Sequence, residues 1–195
     1  MTLAAVLLAG GESRRMGCDK ATLTIDGIPL WRRQFDLLLS LAPDSLFVSA
    51  RQKPAWLPLG AHFVADPVPA RGPLGGVAAA LAAMHSTHLL ALPVDMPAMT
   101  AGHLATLWGA ASPGCGVLPW IGDQPEWLPA IYPAEALPSA NALLAQADVS
   151  LGAFTRTLLA EGRIKKHPIA QSDASLYANC NAPTDWEHHT APKDA

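Results

Sequence analysis

Apolar residues fall in short runs along the first two thirds of the chain, with helical stripes between them. Leu3–Ala9 is unbroken apolar and reads as a buried strand. Pro29–Leu41 reads as a helix, because Leu30, Gln34, Phe35, Leu38 and Leu41 recur at helical spacing. Leu46–Ala50 and His62–Ala65 read as the second and third strands. Pro73 suits the first position of a helix, whose apolar face is Leu74, Val77, Ala78, Leu81 and Met84. His88–Leu92 is a fourth strand, ended by Pro93. Thr100 is placed to cap a helix running to about Ala110, and Cys115–Pro119 reads as a fifth strand. The pattern then loosens. A strand is expected over Trp127–Tyr132, helices near Ala134–Ala147 and Ser150–Ala160, and a short strand over Arg163–Ile169. Asn179–Pro183 reads as a loop, with Pro183 opening a last short helix.

Strands alternating with helices predict βαβ crossovers: an α/β fold with a mostly parallel central sheet and helices on both faces. In such sheets ligands bind beyond the carboxyl ends of the strands, so the residues just after each strand carry the interest. No repeat or linker divides the chain, which is expected to form a single domain over residues 1–188 with a frayed tail at 189–195.

Composition narrows the function classes. Half of the residues are hydrophobic, 15% are charged and the net charge is -3. That balance describes a compact chain without a basic field for nucleic acid. Cys18, Cys115 and Cys180 stand far apart, without disulfide or zinc spacing, which fits a reducing cytoplasm. The apolar start lacks a basic segment before it, and the Arg14-Arg15 pair follows the run instead of preceding it. No stretch approaches the roughly 18–20 apolar residues that span a bilayer. Neither a nucleic-acid nor a membrane partner is expected.

The first strand runs into Gly10-Gly11-Glu12-Ser13-Arg14-Arg15-Met16-Gly17-Cys18-Asp19-Lys20. Glycines permit tight turns and close backbone approach to a ligand. Consecutive N–H groups in such a loop make an anion nest. Arg15 and Lys20 add positive charge and Ser13 a hydroxyl, and together these suit a triphosphate. The loop is neither a P-loop, since no Gly-Lys pair exists, nor the dinucleotide fingerprint, since the glycine spacing differs.

Leu8-Ala9-Gly10-Gly11-x-Ser13-x-Arg15-Met16-Gly17-x-Asp19-Lys20 resembles the signature of nucleotidyltransferases with a Rossmann-like fold, and is most similar to that of the molybdenum cofactor guanylyltransferases. Further segments match in order: Asp66 with Gly72-Pro73-Leu74-x-Gly76, Pro93-Val94-Asp95-Met96-Pro97, Gln124 to Tyr132, and Asn179-x-Asn181-x-Pro183-x-Asp185. The resemblance spans about residues 3 to 187. It implies transfer of GMP from GTP to the terminal phosphate of molybdopterin, with release of pyrophosphate.

It also implies roles. Asp95 would be the Mg²⁺ ligand. Arg15, Lys20 and Asp95 would form the catalytic set. Leu8, Ala9, Gly10, Gly11, Ser13, Gly17, Lys20, Ser49, Asp66 and Asp95 would hold the nucleotide, with Asp66 reading the guanine ring. Asn179 and Asn181 would face the acceptor. Read alone, Asp95 equally suits capping the following turn, Asp66 a turn before Pro67, and the asparagines turn formation. Two positions depart from the family pattern: Ser49 stands where relatives often carry Asn, and Ala182 where they often carry Thr. The seven histidines offer no three-ligand metal spacing and read as surface residues. Trp120 and Trp127 flank a Gly122-Asp123 turn and read as core or rim packing, with the lining of a pterin site as the alternative.

The chemistry fits these groups. The acceptor phosphate is already an anion and needs no general base, so the task is to offset charge repulsion. A cytidylyltransferase for the same cofactor is the neighbouring reading, although such relatives tend to carry Ala-Gly at the Gly10-Gly11 positions. A non-catalytic nucleotide-binding module is the reading from another class. The labile product further implies transient contact with proteins that deliver the cofactor or receive it.

Overall fold

A computed structural model describes residues 1–10, 19–66, 72–146 and 149–180. The strands are β1 (Leu3–Leu8), β2 (Thr24–Ile25), β3 (Ile28–Pro29), β4 (Ser45–Ala50), β5 (Ala61–Ala65), β6 (His88–Pro93), β7 (Gly116–Ile121), β8 (Gln124–Pro125), β9 (Ala130–Pro133) and β10 (Ile164–Ile169). The helices are α1 (Leu30–Ser40), α2 (Gly72–Ala83), α3 (Ala101–Ala110), α4 (Leu137–Leu144) and α5 (Leu151–Ala160). Among the described residues the main sheet runs β10-β7-β9-β6-β1-β4-β5, with β8 attached to β7.

β1 lies at the centre, parallel to both β4 and β6. All six of its residues are buried, as a strand covered on both faces requires. Its side chains alternate between two cores. Leu3, Ala5 and Leu7 pack with α1 and α3 through Leu30, Phe35, Leu38, Leu104 and Leu107. Ala4, Val6 and Leu8 pack with α2, α4 and α5 through Leu74, Val77, Leu81, Ala140, Phe154 and Leu158. Thr100 caps α3 as expected, its side chain accepting from His103 N at 3.2 Å. The α/β expectation therefore holds, helices on both faces included.

Three details differ from the sequence reading. The strand expected over Trp127–Tyr132 is confined to Ala130–Pro133 and runs antiparallel between β6 and β7. Pro129 has no N–H to give a ladder, so pairing starts one residue later. The helix expected from Ala134 begins as a 3-10 turn over Ala134–Ala136 and becomes α-helical only at Leu137. His88 is not on the surface. It is wholly buried, with Nε2 3.1 Å from Ser112 O and its ring edge-on to Trp108 at 5.5 Å. The expected last helix after Pro183 and the tail from 189 lie outside the described residues.

Burial of His88 makes stability depend on pH. A carbonyl only accepts, so Nε2 carries the proton of the bond to Ser112 O. Desolvation lowers the pKa of His88, and that of His103 as well, below the ordinary 6.5. The contribution is therefore fully present above pH 6.5. It is lost as pH falls from there through the folded-state value, because the unfolded chain takes up protons first. We expect the urea midpoint of the wild type to drop between about pH 7.5 and 5.5, and the drop to be smaller in His88→Gln. Equal drops in the two proteins would contradict the assignment.

Candidate active site

The parallel strands deliver their carboxyl ends to one edge of the sheet, and short backbone bonds lock those ends together. Ala9 N donates to Ser49 O at 2.9 Å, Val94 N to Leu8 O at 3.1 Å and Asp66 N to Ala50 O at 2.9 Å. The residues that follow β1, β4, β5 and β6 are thus held side by side.

A cavity of about 400 Å³ opens there, in the size range of small-molecule sites. Leu8, Ala9, Gly10, Lys20 and Asp95 form one side of it. Lys20 Nζ lies 3.3 Å from Asp95 Oδ2, with each side chain about one-fifth exposed. These two residues are separated by 75 positions in sequence. The Asp95 carboxylate therefore meets the Lys20 ammonium at the cavity. Asp19 fixes the origin of Lys20: it caps the short 3-10 turn Lys20–Thr22, its Oδ1 accepting from Ala21 N at 3.0 Å.

A second convergence sits beside the first. The Ser49 hydroxyl donates to Asp66 Oδ1. Ser49 is 1% exposed, so the hydroxyl turns inward to hold the carboxylate. A Cβ on Gly10 would run into Asp66 Oδ2, and one on Gly76 into Ser49 Oγ and Leu8 Cδ2. Glycine at these two positions is what allows β1, β4, α2 and Asp66 to meet so closely. Leu8, Gly10, Ser49, Asp66 and Gly76 come from four separate stretches of sequence and assemble at one point.

Glu126, Trp127 and Leu128 also line the cavity, with Leu151 and Asn179. The Gly122-Asp123 turn folds β8 back on β7 and brings this segment to the cavity. Tyr132 OH donates to Trp127 O at 3.1 Å and fixes the turn of the chain. Trp127 lines the cavity, the alternative to plain packing read from the sequence. Burial raises the pKa of Glu126 above the ordinary carboxylate value. Asn179 is anchored through its neighbour, since Cys180 N donates to Asp95 O at 2.9 Å. Glu126 belongs to a segment the sequence singled out, but nothing in its spacing distinguished it from neighbouring residues.

Among the described residues no group of three or more His, Cys, Asp or Glu side chains is arranged to hold a metal. None of their helices is long and apolar enough to cross a membrane. Gly11, Ser13, Arg15, Gly17 and Asn181 lie outside the described residues.

Comparison with known proteins bears on the fold and the family. The family model for the MobA-like NTP transferase domain matches residues 5–164. A probable molybdenum cofactor guanylyltransferase of Opitutus terrae is 34% identical over 186 residues, covering 94% of this chain and 92% of that protein. A molybdenum cofactor guanylyltransferase of Xanthomonas euvesicatoria is 30% identical, covering 93% and 90%. Among solved structures, the molybdopterin-guanine dinucleotide biosynthesis protein A of Archaeoglobus fulgidus superposes with a TM-score of 0.72 at 21% identity, covering 96% of each chain. A nucleotidyl transferase of Methanothermobacter superposes with a TM-score of 0.75 at 16% identity, covering 97% and 96%. The structural likeness carries the fold, and the sequence matches along nearly the whole length carry the kinship: the chain belongs to the MobA-like NTP transferases, the family of the molybdenum cofactor guanylyltransferases.

Proposed function

We propose that this chain transfers GMP from GTP to the terminal phosphate of molybdopterin, in a Mg²⁺-dependent reaction. A phosphate oxygen of the acceptor forms the new bond to the α-phosphorus of GTP, the α–β bridging bond breaks, and pyrophosphate leaves. The observation that carries the reading is the Lys20–Asp95 pair in the cavity where β1 and β6 end.

The residues suit such a reaction. Two unit charges 4 Å apart repel by about 4 kcal/mol at an effective dielectric near 20. Lys20 offsets part of that repulsion, and the backbone after β1, with Arg15, serves the same end. Asp66 accepts from the N1–H and exocyclic amine of guanine, a donor pair adenine lacks, and Ser49 holds its carboxylate in place. Asn179, Glu126 and Trp127 line the part of the cavity offered to the acceptor, and Asn181 follows Asn179 two residues on in sequence.

Asp95 fits Mg²⁺. Its carboxylate is part-exposed on the cavity wall where β6 ends, a donor suited to an ion that takes one or two carboxylates and completes its shell with phosphate oxygens and water. Held there, Mg²⁺ supplies positive charge to the triphosphate.

The test is pyrophosphate release with each NTP in turn, in the presence of Mg²⁺ and molybdopterin. GTP should give acceptor-dependent pyrophosphate and CTP little. No acceptor-dependent release from GTP, or a preference for CTP, would overturn the proposal. A narrower test uses the close approach at Gly10. Gly10→Ala should push Asp66 out of place and weaken GTP binding about 10- to 100-fold, the effect of roughly 1–3 kcal/mol of overpacking. Unchanged affinity in a titration would show that Asp66 and Gly10 stand apart from the nucleotide.

A further inference from the structure

Asp19 has both carboxylate oxygens occupied. Oδ1 takes the N–H of Ala21 at 3.0 Å and so caps the turn that carries Lys20. Oδ2 takes the indole N–H of Trp56 at 3.1 Å. Trp56 is itself held, since its ring stacks on Trp31 with centroids 5.2 Å apart and planes 12° from parallel. Trp31 is the second residue of α1, whose entry is tied to the same turn by Leu30 N donating to Leu23 O at 2.8 Å. Ala21 is fully buried, so the turn pivots on a fixed point.

We infer that Trp56 is a positioning residue for the triphosphate side of the site, acting through Asp19 on Lys20. The inference rests on reading the cavity as the GTP site. Trp56 lies in the 51–60 connection, the segment that joins Ser49 at the end of β4 to β5 and Asp66. The indole bond thus ties the connection between the two base-side residues to the turn bearing the phosphate-side lysine. It has an electrostatic consequence as well. Asp19 is exposed and adjacent in sequence to Lys20. A carboxylate free to swing there would compete with the triphosphate for the ammonium and repel the incoming anion. The indole N–H gives Oδ2 a partner of its own.

Trp56→Phe keeps a ring to stack on Trp31 and removes the N–H. It should raise the KM for GTP about three- to tenfold, the scale of one lost hydrogen bond. Its kcat should stay within about twofold, because the change acts on placing the nucleotide rather than on the transfer step. A nucleotide titration without acceptor should show the same loss in affinity. Asp19→Asn should weaken GTP binding too, and the double variant should resemble the Asp19→Asn single, since both changes act through one link. A lowered melting temperature with unchanged KM and affinity would make Trp56 a packing residue only and overturn the inference. Additive effects of the two changes would also overturn it. If Trp56→Phe does not fold, Asp19→Asn alone decides, and an unchanged GTP affinity in that variant sinks the proposal. Failure of the wild type to turn over GTP with molybdopterin would refute the proposed function, while the nucleotide titrations would still decide the part played by Trp56.

Discussion

Asp95→Asn should lose about two to three orders of magnitude in kcat while the protein stays folded and keeps most of its affinity for GTP. Asn preserves the shape of the side chain and removes its charge. Asp95 is the carboxylate that lines the cavity beside Lys20 and the end of β6. A magnesium ion held by Asp95 would contribute several kcal/mol to transition-state charge stabilisation. Losing about 3–4 kcal/mol of it corresponds to a 100- to 1,000-fold slower step. The backbone of the segment does not depend on the charge, because the carbonyl of Asp95 still accepts from Cys180 N. The measurement is steady-state turnover beside a fluorescent-GTP titration, with circular dichroism to confirm the fold. Near-normal turnover would remove Asp95 from the chemistry.

Lys20→Met should lower kcat/KM by about 10- to 100-fold, the cost of roughly 1.5–3 kcal/mol for a hydrogen bond to a charged group. Methionine keeps much of the apolar stem and drops the ammonium. Removing the cation also takes away the 3.3 Å partner of Asp95, so less positive charge faces the triphosphate. Lys20→Arg should recover only part of the loss. Its planar fork keeps the charge but does not reproduce the point-like ammonium geometry. Steady-state kinetics with GTP as the varied substrate checks both variants. If Lys20→Met behaves as the wild type, the Lys20–Asp95 pair is a surface ion pair of little consequence.

Much of the frame can be read from residue pattern alone, because buried parallel strands announce themselves as unbroken apolar runs. Leu3–Leu8, Ser45–Ala50 and His88–Pro93 sit within a residue of their expected places. The residues after them were legible for the same reason, since the ends of parallel strands fall on one edge. Pattern could not place β9. Ala130–Pro133 is a short apolar segment, and nothing local to it says that it inserts antiparallel between β6 and β7. Nor could pattern bury His88, whose partners Ser112 and Trp108 come from a distant connection and helix. The Asp26-Gly27 pair was a hairpin signal in plain view: both residues have positive φ, 52° and 74°, in the turn between β2 and β3. At the site, Lys20, Asp66 and Asp95 each stood out by position. Their pairings did not. That Ser49 grips Asp66 and Trp56 grips Asp19 depends on where the β4–β5 connection runs in space.

The central claim, guanylyl transfer to molybdopterin, is tested most directly by following the α-phosphorus of GTP. With GTP labelled at the α-phosphorus, Mg²⁺ and molybdopterin, the label should appear in the acceptor as the guanine dinucleotide, while γ-labelled GTP should release its label as pyrophosphate. Label confined to free guanine nucleotides, or carried to the acceptor from α-labelled CTP in preference to GTP, would contradict it.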